Sequence, residues 1–388
     1  MISNVHLSAL CDYADGRIGV SDLDTHSYIS TENMLPNKEG ICQSSGLPVI
    51  AQTQAYQPND VLVSNIRPYF RKIWFADRIG GCSNDVLVMR AKQNCYPRFL
   101  YYILSDDKFF DYSTATGKGT KMPRGDKNAI MCYTVPDIPF EDQKKIANTL
   151  SALDDRITEN KKINHHLEQM AQAIFKSWFV DFEPFGGTMP SDWTKESLGQ
   201  YVTIKRGGSP RPIQDFLSNK GYRWLKISDV TSLQSPFVLT IKEHIKESGL
   251  KKTVFRKAGT LVLSNSATPG IPKILCVDTC IHDGWLYFPK SLFSNEFLYL
   301  FFRYIREDLV ALGNGSVFTN LKTDILKAFP VVYPGEKVLK QFDELILPLF
   351  RKMEVMAQES ASLAELRDTL LPRLMSGELS VADLGDGK

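Results

Sequence analysis

The chain has 388 residues, seven cysteines and a net charge of only +2, which is long enough for two or more cored domains and too neutral to mark the whole molecule as a polyanion binder. An odd number of scattered cysteines argues against a disulfide framework and fits free thiols in a reducing compartment. No apolar run reaches the length of a membrane span, and the N-terminus MISNVHLSALCDY lacks the basic flank and apolar core of a signal peptide, so a cytoplasmic protein is expected.

Residues 1–139 read as short strands and turns. VLVSNIRPYF (Val61 to Phe70) and DVLVMR (Asp85 to Arg90) are β-rich runs, a helix is expected around Pro97 to Phe110, and a Gly- and Lys-rich loop runs from Thr116 to Lys127. A long helix over residues 140–183 follows. Ile146, Leu153, Leu167 and Ile174 form one heptad column, interrupted by Asn160. Leu150, Ile157, Ala171 and Trp178 form a second, interrupted by Asn164. Glu141 and Asp142 suit its first turn, and Pro184, Gly186 and Gly187 suit its stop. Residues 184–334 read as a second globular segment. A second heptad helix is expected over 335–377, with Phe342, Leu349, Met356, Leu363 and Leu370 in one column and Leu345, Leu366 and Leu374 in the next. Pro348 predicts a kinked first turn and Pro372 a terminal break before Gly377. Residues 378–388 form a polar tail.

The second half repeats the first. Thr260 to Ile274 echoes Asp60 to Ile73, with Ser264-Asn265 two hundred positions after Ser64-Asn65. Asn295 to Ile305 echoes Pro97 to Ser105, and Gly313 to Asp324 echoes Gly117 to Asn128. Each echoed loop leads through a proline-bearing strand into a long helix, so a globular unit plus a heptad helix is written twice. The expected fold is therefore α+β: two similar domains separated by two long antiparallel coiled-coil helices, in a pseudo-two-fold tandem repeat. Two separated lobes suit duplex DNA, with two half-sites about 34 Å apart.

Divided by segment, net charge is 0 for residues 1–140, −2 for 141–183, +7 for 184–334 and −3 for 335–388. The second globular segment is thus the one charged to meet a polyanion, while the helices suit protein. No G-x-G-x-x-G follows a strand, no P-loop occurs, and no Pro-Pro pair is present to build an amine-holding methyl-transfer loop. Asp137, Asp142 and Lys144 faintly resemble the acidic and lysine set of a metal nuclease. Cys276, Cys280 and His282 have metal-like spacing without a fourth ligand. His165 and His166 are adjacent and cannot form an i, i+4 metal pair.

What remains is nucleic-acid contact. In the first segment the candidates are Asn65, Arg67, Tyr69 and Arg71 after the echoed strand, with Lys118, Thr120, Lys121 and Arg124 in the Gly-rich loop. In the second they are Lys205, Arg206, Ser209 and Arg211 on a Gly/Pro turn, Asn265 and Thr268 after the echoed strand, and Asn314, Ser316, Thr319 and Lys322 in the echoed loop. The alternatives are a helical scaffold whose lobes bind proteins and a nuclease using Asp137, Asp142 and Lys144.

VPDIPFEDQKKIANTLSALDDRI at the start of the first helix, AIFKSWFVDFEPF at its end, LRDTLLPRLMSGEL at the end of the second, and W-x₄-L-G, ISDV and VLSN in the second segment carry a resemblance. Together they resemble the specificity (S) subunit of type I restriction-modification enzymes over nearly the whole chain, although the chain starts almost directly at its first globular segment. The resemblance implies two target recognition domains, each reading half of a split double-stranded DNA sequence from the major groove. It implies helices that act as a spacer and dock two methyltransferase (M) subunits, with restriction/translocase (R) subunits joining through the complex. It implies no catalytic residue, metal or cofactor in this subunit; S-adenosylmethionine, ATP and magnesium belong to the partner subunits. Trp178 and Phe179 are then candidate seats for modification-subunit helices.

Overall fold

A computed structural model describes residues 3–119, 121–313 and 321–379. The chain divides into two compact units, residues 1–156 with 363–388, and residues 157–362. The two long helices, Phe140–Phe179 and Glu336–Ser376, run without interruption through both division points.

In the first unit the fully buried strand Val61–Ser64 lies inside an antiparallel sheet of order Cys11–Tyr13, Val86–Ala91, Val61–Ser64, Ile73–Phe75. A second four-stranded sheet takes Gly80–Cys82 between Gln52–Tyr56 (antiparallel) and Tyr28–Ile29 (parallel), with Arg17–Gly19 at its edge. Asn4–His6 pairs with Thr134–Pro136 and so brings the two ends of the lobe together just before the first long helix. The expected helix over 97–110 is two, Pro97–Ser105 and Asp107–Ala115. Asp106 separates them: its backbone is extended, and its side chain accepts the Lys108 amide at 3.0 Å, which stabilises a helix start where the periodicity suggested continuity.

The second unit repeats the plan. Val202–Arg206, Trp285–Ser291, Leu261–Ser264 and Pro272–Leu275 stand in the same order as their first-unit counterparts, with Phe237–Val238 added at the edge. Thr279–Ile281 lies between Val254–Arg256 (antiparallel) and Tyr222–Leu225 (parallel), as Gly80–Cys82 does between its own neighbours. Helices Asn295–Tyr304, Arg306–Gly313 and Thr323–Ala328 lead to strand Pro330–Tyr333 and the second long helix. The matching order of strands and pairing directions makes this a tandem repeat by topology, although the two halves share few residues.

Within each unit the long helices pair antiparallel. In the first, Ile146, Ala147 and Leu150 share a core with Leu371, Leu374 and Met375, and Arg367 Nη1 meets Asp154 Oδ1 at 2.6 Å. In the second, Asn160 Nδ2 donates to Glu359 Oε2 at 2.9 Å and Asn164 Nδ2 to the Met353 carbonyl at 3.1 Å. The two asparagines that interrupt the apolar columns are thus the polar rung between the helices, a common device for holding coiled-coil register.

The second helix ends where expected, before Gly377, and differs from its expected pattern in its second column. It continues through Pro348 and Pro372 to Ser376, and Gly377, at φ +72°, closes it. Pro372 lacks an amide, yet the helix runs past it because its last turn is held by burial of Leu371, Leu374 and Met375, and the break comes at Ser376, before Gly377. In the second column Leu345 and Leu366 are exposed and Leu374 alone is buried, while Ile346, Phe350 and Met353, outside both columns, are buried. This helix packs on its own lobe as well as on its partner, which widens and rotates the buried face beyond a two-column seam. For the same reason Trp178 and Phe179 are not open seats: Phe342 fills them, 5.8 and 4.8 Å away between ring centroids.

The thiols carry a pH signature. Burial first, with nearby groups second, pushes Cys11, Cys82 and Cys95 up to about 12 and Cys280 to about 11. A group whose pKa is raised by folding contributes stability that is intact below its unfolded value, about 8.5 for a thiol, and lost as pH rises through its folded value. Lys273, pushed down to about 8 by burial, acts in the opposite sense, but one amine stands against four thiols. Denaturant midpoints under reductant are expected to hold steady to about pH 8 and fall progressively above it. Midpoints that rise between about pH 8 and 10 would contradict the burial of these thiols.

Candidate nucleic-acid interface

Strand Val61–Ser64 ends at Asn65, whose amide donates to the Asp85 carbonyl at 2.8 Å and whose carbonyl accepts from Gly125 at 3.2 Å. Arg67 follows in the left-handed region (φ +49°), and its amide donates to Pro123 at 2.8 Å. Ile66 bridges Arg124, which itself bridges Lys118. The two loops that the sequence separates by about fifty residues therefore form one surface. A Cβ at Gly125 would lie 2.7 Å from Ser113 Oγ and 2.8 Å from Asn65 Oδ1, so glycine is required for the loops to close together.

The side chains of this surface divide by what they already touch. Tyr69 and Phe70 are exposed, their rings 4.8 Å apart, and offer stacking faces. Lys121 is exposed and makes no ion pair with a described residue. Lys118 lies 2.5 Å from Asp126, and Arg124 lies 2.9 Å from Asp85. Hydrogen bonding to Lys118 holds the Asp126 carboxyl below its ordinary value, and the same contact raises the Lys118 ammonium. Exposed pairs of this kind are worth little, so a phosphate exchanges for the carboxylate at small cost.

Two candidates are placed differently from the expectation. Arg71 is held by Asp107 at 2.7 Å and Asp111 at 3.9 Å, on the helix that follows Asp106. Asn65 is buried, with Oδ1 unpaired, so its side chain faces the interior and positions the loops instead of reaching a base. Arg67 is half-buried, and its Nε has no partner among the described residues.

The second lobe repeats the clamp. The Asn265 amide donates to the Gly284 carbonyl at 2.9 Å, and the Asn265 carbonyl accepts from Leu321 at 2.7 Å. Asn265 is likewise buried with Oδ1 unpaired, so it too is a positioning residue. Thr268 has its hydroxyl 3.5 Å from that of Thr231, and its carbonyl accepts from Ser264 Oγ at 2.6 Å. Lys322 is exposed at the start of helix Thr323–Ala328. Thr120, Asn314, Ser316 and Thr319 lie outside the described residues.

The Gly/Pro turn converges on one carboxylate. Ser209 Oγ donates to Asp283 Oδ1 at 2.6 Å, Arg211 Nη2 meets Asp283 Oδ2 at 3.0 Å, and Arg206 Nε donates to the Asp283 carbonyl. Partial burial pushes the Asp283 carboxyl up, but Ser209, Arg211 and His282 together hold it below the usual carboxylate range. Lys205 is exposed and without an ion pair among the described residues. A groove of about 710 Å³ opens beside this turn, with Pro210, Trp224, Ile227 and Ala267 in its walls. Asp85 and Asp283 do not stand out in the sequence as site residues. Their one signal is the Asn-Asp and Asp-Gly punctuation just before the strands that begin at Val86 and Trp285.

The nuclease candidates do not converge. Asp137 accepts from Ser3 Oγ at 3.4 Å, Asp142 faces Lys145 at 3.7 Å, and Lys144 pairs with Glu141 at 2.9 Å. Cys276, Cys280 and His282 do not form a metal-holding group; no set of three His, Cys, Asp or Glu among the described residues does. Among the same residues no helix is long and apolar enough to cross a membrane.

Comparison with known proteins gives a consistent result. The family model described as type I restriction modification DNA specificity domain matches residues 25–169 and again 190–361. The chain is 26% identical over 313 residues to the type I restriction enzyme MjaIX specificity subunit of Methanocaldococcus jannaschii, covering 76% of this chain and 71% of that one. It is 25% identical over 435 aligned positions to the HindI specificity subunit of Haemophilus influenzae, covering 91% and 94%. In fold it is similar to the crystal structure of a type I restriction-modification S subunit from M. genitalium, with a TM-score of 0.59 at 16% identity over 97% of this chain and 96% of that one.

Proposed function

The chain belongs to the type I restriction-modification DNA specificity family, and from that premise we propose that it is the target-reading subunit of such a system. Each lobe reads one half of a bipartite, asymmetric duplex sequence. The long helices set the spacing between the halves and dock methyltransferase subunits, two of them by the repeat, through which restriction/translocase subunits join. Methyl transfer from S-adenosylmethionine, and ATP- and magnesium-dependent steps, fall to those partners.

The observation that carries this reading is the repeated loop clamp. At equivalent places Asn65 and Asn265 each tie the loop after a buried strand to the loop that precedes a short helix. The first lobe thereby presents a composite surface on its sheet, and the second repeats the clamp at Leu321, which suits a reader whose loops vary while its frame does not. Because the two lobes share few side chains on these surfaces, the two half-sequences need not be alike.

Comparison of methylated bases in the host genome with and without this gene is expected to show one split sequence motif that depends on it. In binding assays, Lys121→Ala with Arg124→Ala is expected to weaken binding to every duplex and lower the salt slope by about 2, roughly 0.9 for each phosphate that is no longer neutralised. A gene-dependent motif with no gap, or unchanged affinity and slope in the double variant, would count against the two-reader surface.

A further inference from the structure

The charge of the second lobe is concentrated in one insertion. Strands Cys11–Tyr13 and Val202–Arg206 hold the same edge of the large sheet, and Val61–Ser64 and Leu261–Ser264 hold the same interior position, so residues 14–60 and 207–260 are equivalent insertions. The first contains two Lys and Arg against six Asp and Glu; the second contains ten against four. One fold position has thus acquired opposite signs in the two lobes.

Internal pairing does not consume the positive charge. Arg211, Lys226 and Lys257 face Asp283, Glu243 and Asp278. Lys220, Arg223, Lys242, Lys246, Lys251 and Lys252 are exposed, and none makes an ion pair with a described residue. They are also close together. His244 stands in register with both Ser218 and Arg223, Lys246 Nζ donates to the Asp215 carbonyl at 2.8 Å, and Lys252 Nζ lies 4.8 Å over the Phe216 ring. A Cβ on Gly208 would lie 3.3 Å from the Lys252 carbonyl, so this basic surface adjoins the turn that carries Arg206, Ser209 and Arg211. Gathered like charges repel one another, and a polyanion laid across them relieves that repulsion and releases its own counterions. In the first lobe Lys38 is already paired with Asp107, which leaves a surface that repels phosphate.

We propose that the 207–260 insertion of the second lobe is a phosphate-backbone anchor for the duplex flanking one half-site, so that the flank on that side of the target is held electrostatically and the flank on the other side is not. This rests on the reading of the chain as a DNA-target subunit. It adds a sequence-independent contact beside the turn that carries Ser209 and Arg211, and it makes the footprint of the complex lopsided.

The test uses the full chain assembled with its modification subunits and duplexes bearing the methylated motif, titrated over a salt series. Arg223→Gln, Lys251→Gln and Lys252→Gln together are expected to lower the slope of log K against log salt by about 2–3, at roughly 0.9 per phosphate released. Target and non-target duplexes should weaken by the same factor, which leaves their ratio unchanged. Trimming the flank beyond one half-site should weaken binding by the unaltered chain at least as much as the triple substitution does and have a clearly smaller effect in the triple variant, which keeps Lys220, Lys242 and Lys246, while trimming the other flank does little to either. An unaltered slope in the triple variant, with target preference intact, would overturn the anchor. So would loss of subunit assembly with normal DNA binding, which would instead assign the surface to an acidic protein partner. Absence of target preference in the unaltered assembly would overturn the reading beneath the anchor instead.

Discussion

Phe342→Ala is expected to destabilise the second unit by about 3–5 kcal/mol, the range for emptying a fully buried aromatic site. Phe342 has no exposed surface and meets Phe175, Trp178, Phe179 and Phe297, all within the same unit. It lies in the second long helix, whereas Phe175, Trp178 and Phe179 lie in the first and Phe297 in the lobe, so one truncation loosens both the helix pair and the docking of the lobe on it. Rings at these sites cannot close the void by small shifts, because interior packing is already dense. Chemical denaturation followed by tryptophan fluorescence reads the change. A loss below about 1 kcal/mol would mean that the aromatic cluster does not anchor the lobe to the helix pair.

Adding one heptad to each long helix, after Asn160 in the first and before Glu359 in the second, is expected to enlarge the unread gap in the methylated motif by about three base pairs. Seven helical residues add about 10.5 Å, and base pairs stack about 3.4 Å apart. Both insertions are needed. The Asn160–Glu359 and Asn164–Met353 contacts show the helices antiparallel, so a heptad in one alone would slide every pairing on one side of it out of register. Both half-sequences should survive, since no reading loop changes. Genome-wide methylation mapping of the variant measures the gap directly, and an unaltered gap would remove the spacer role of the helices.

Much of the architecture is readable from the chain alone. The heptad columns mark both long helices, and the second ends at Ser376, just before Gly377, whereas the first ends at Phe179, five positions short of Pro184, with Phe182 in the left-handed region after it. The repeated Ser-Asn landmarks expose the duplication because they stand at the same point of the same sheet and make the same backbone clamp there. The single helix expected over 97–110 fails at Asp106 because a capping hydrogen bond is local chemistry that periodicity does not register. The second column of the distal helix fails at Leu345 and Leu366, though not at Leu374, because a helix with two packing partners buries a face that a two-column seam does not describe.

The contact residues are the least readable part. Asn65, Asn265 and Arg71 have the side chains of nucleic-acid readers, yet two are buried and the third is held by Asp107 and Asp111. Lys251 and Lys252 escape notice because no motif surrounds them, although the segment charge points to their lobe. Sequence by itself determined the duplication, the two long helices and the family, since hydrophobic period and repeated landmarks are linear properties of a chain. Only tertiary structure decided which cations are already neutralised, which loops combine into one surface and which seam positions are filled, because each depends on groups far apart in sequence coming within a few ångströms of one another.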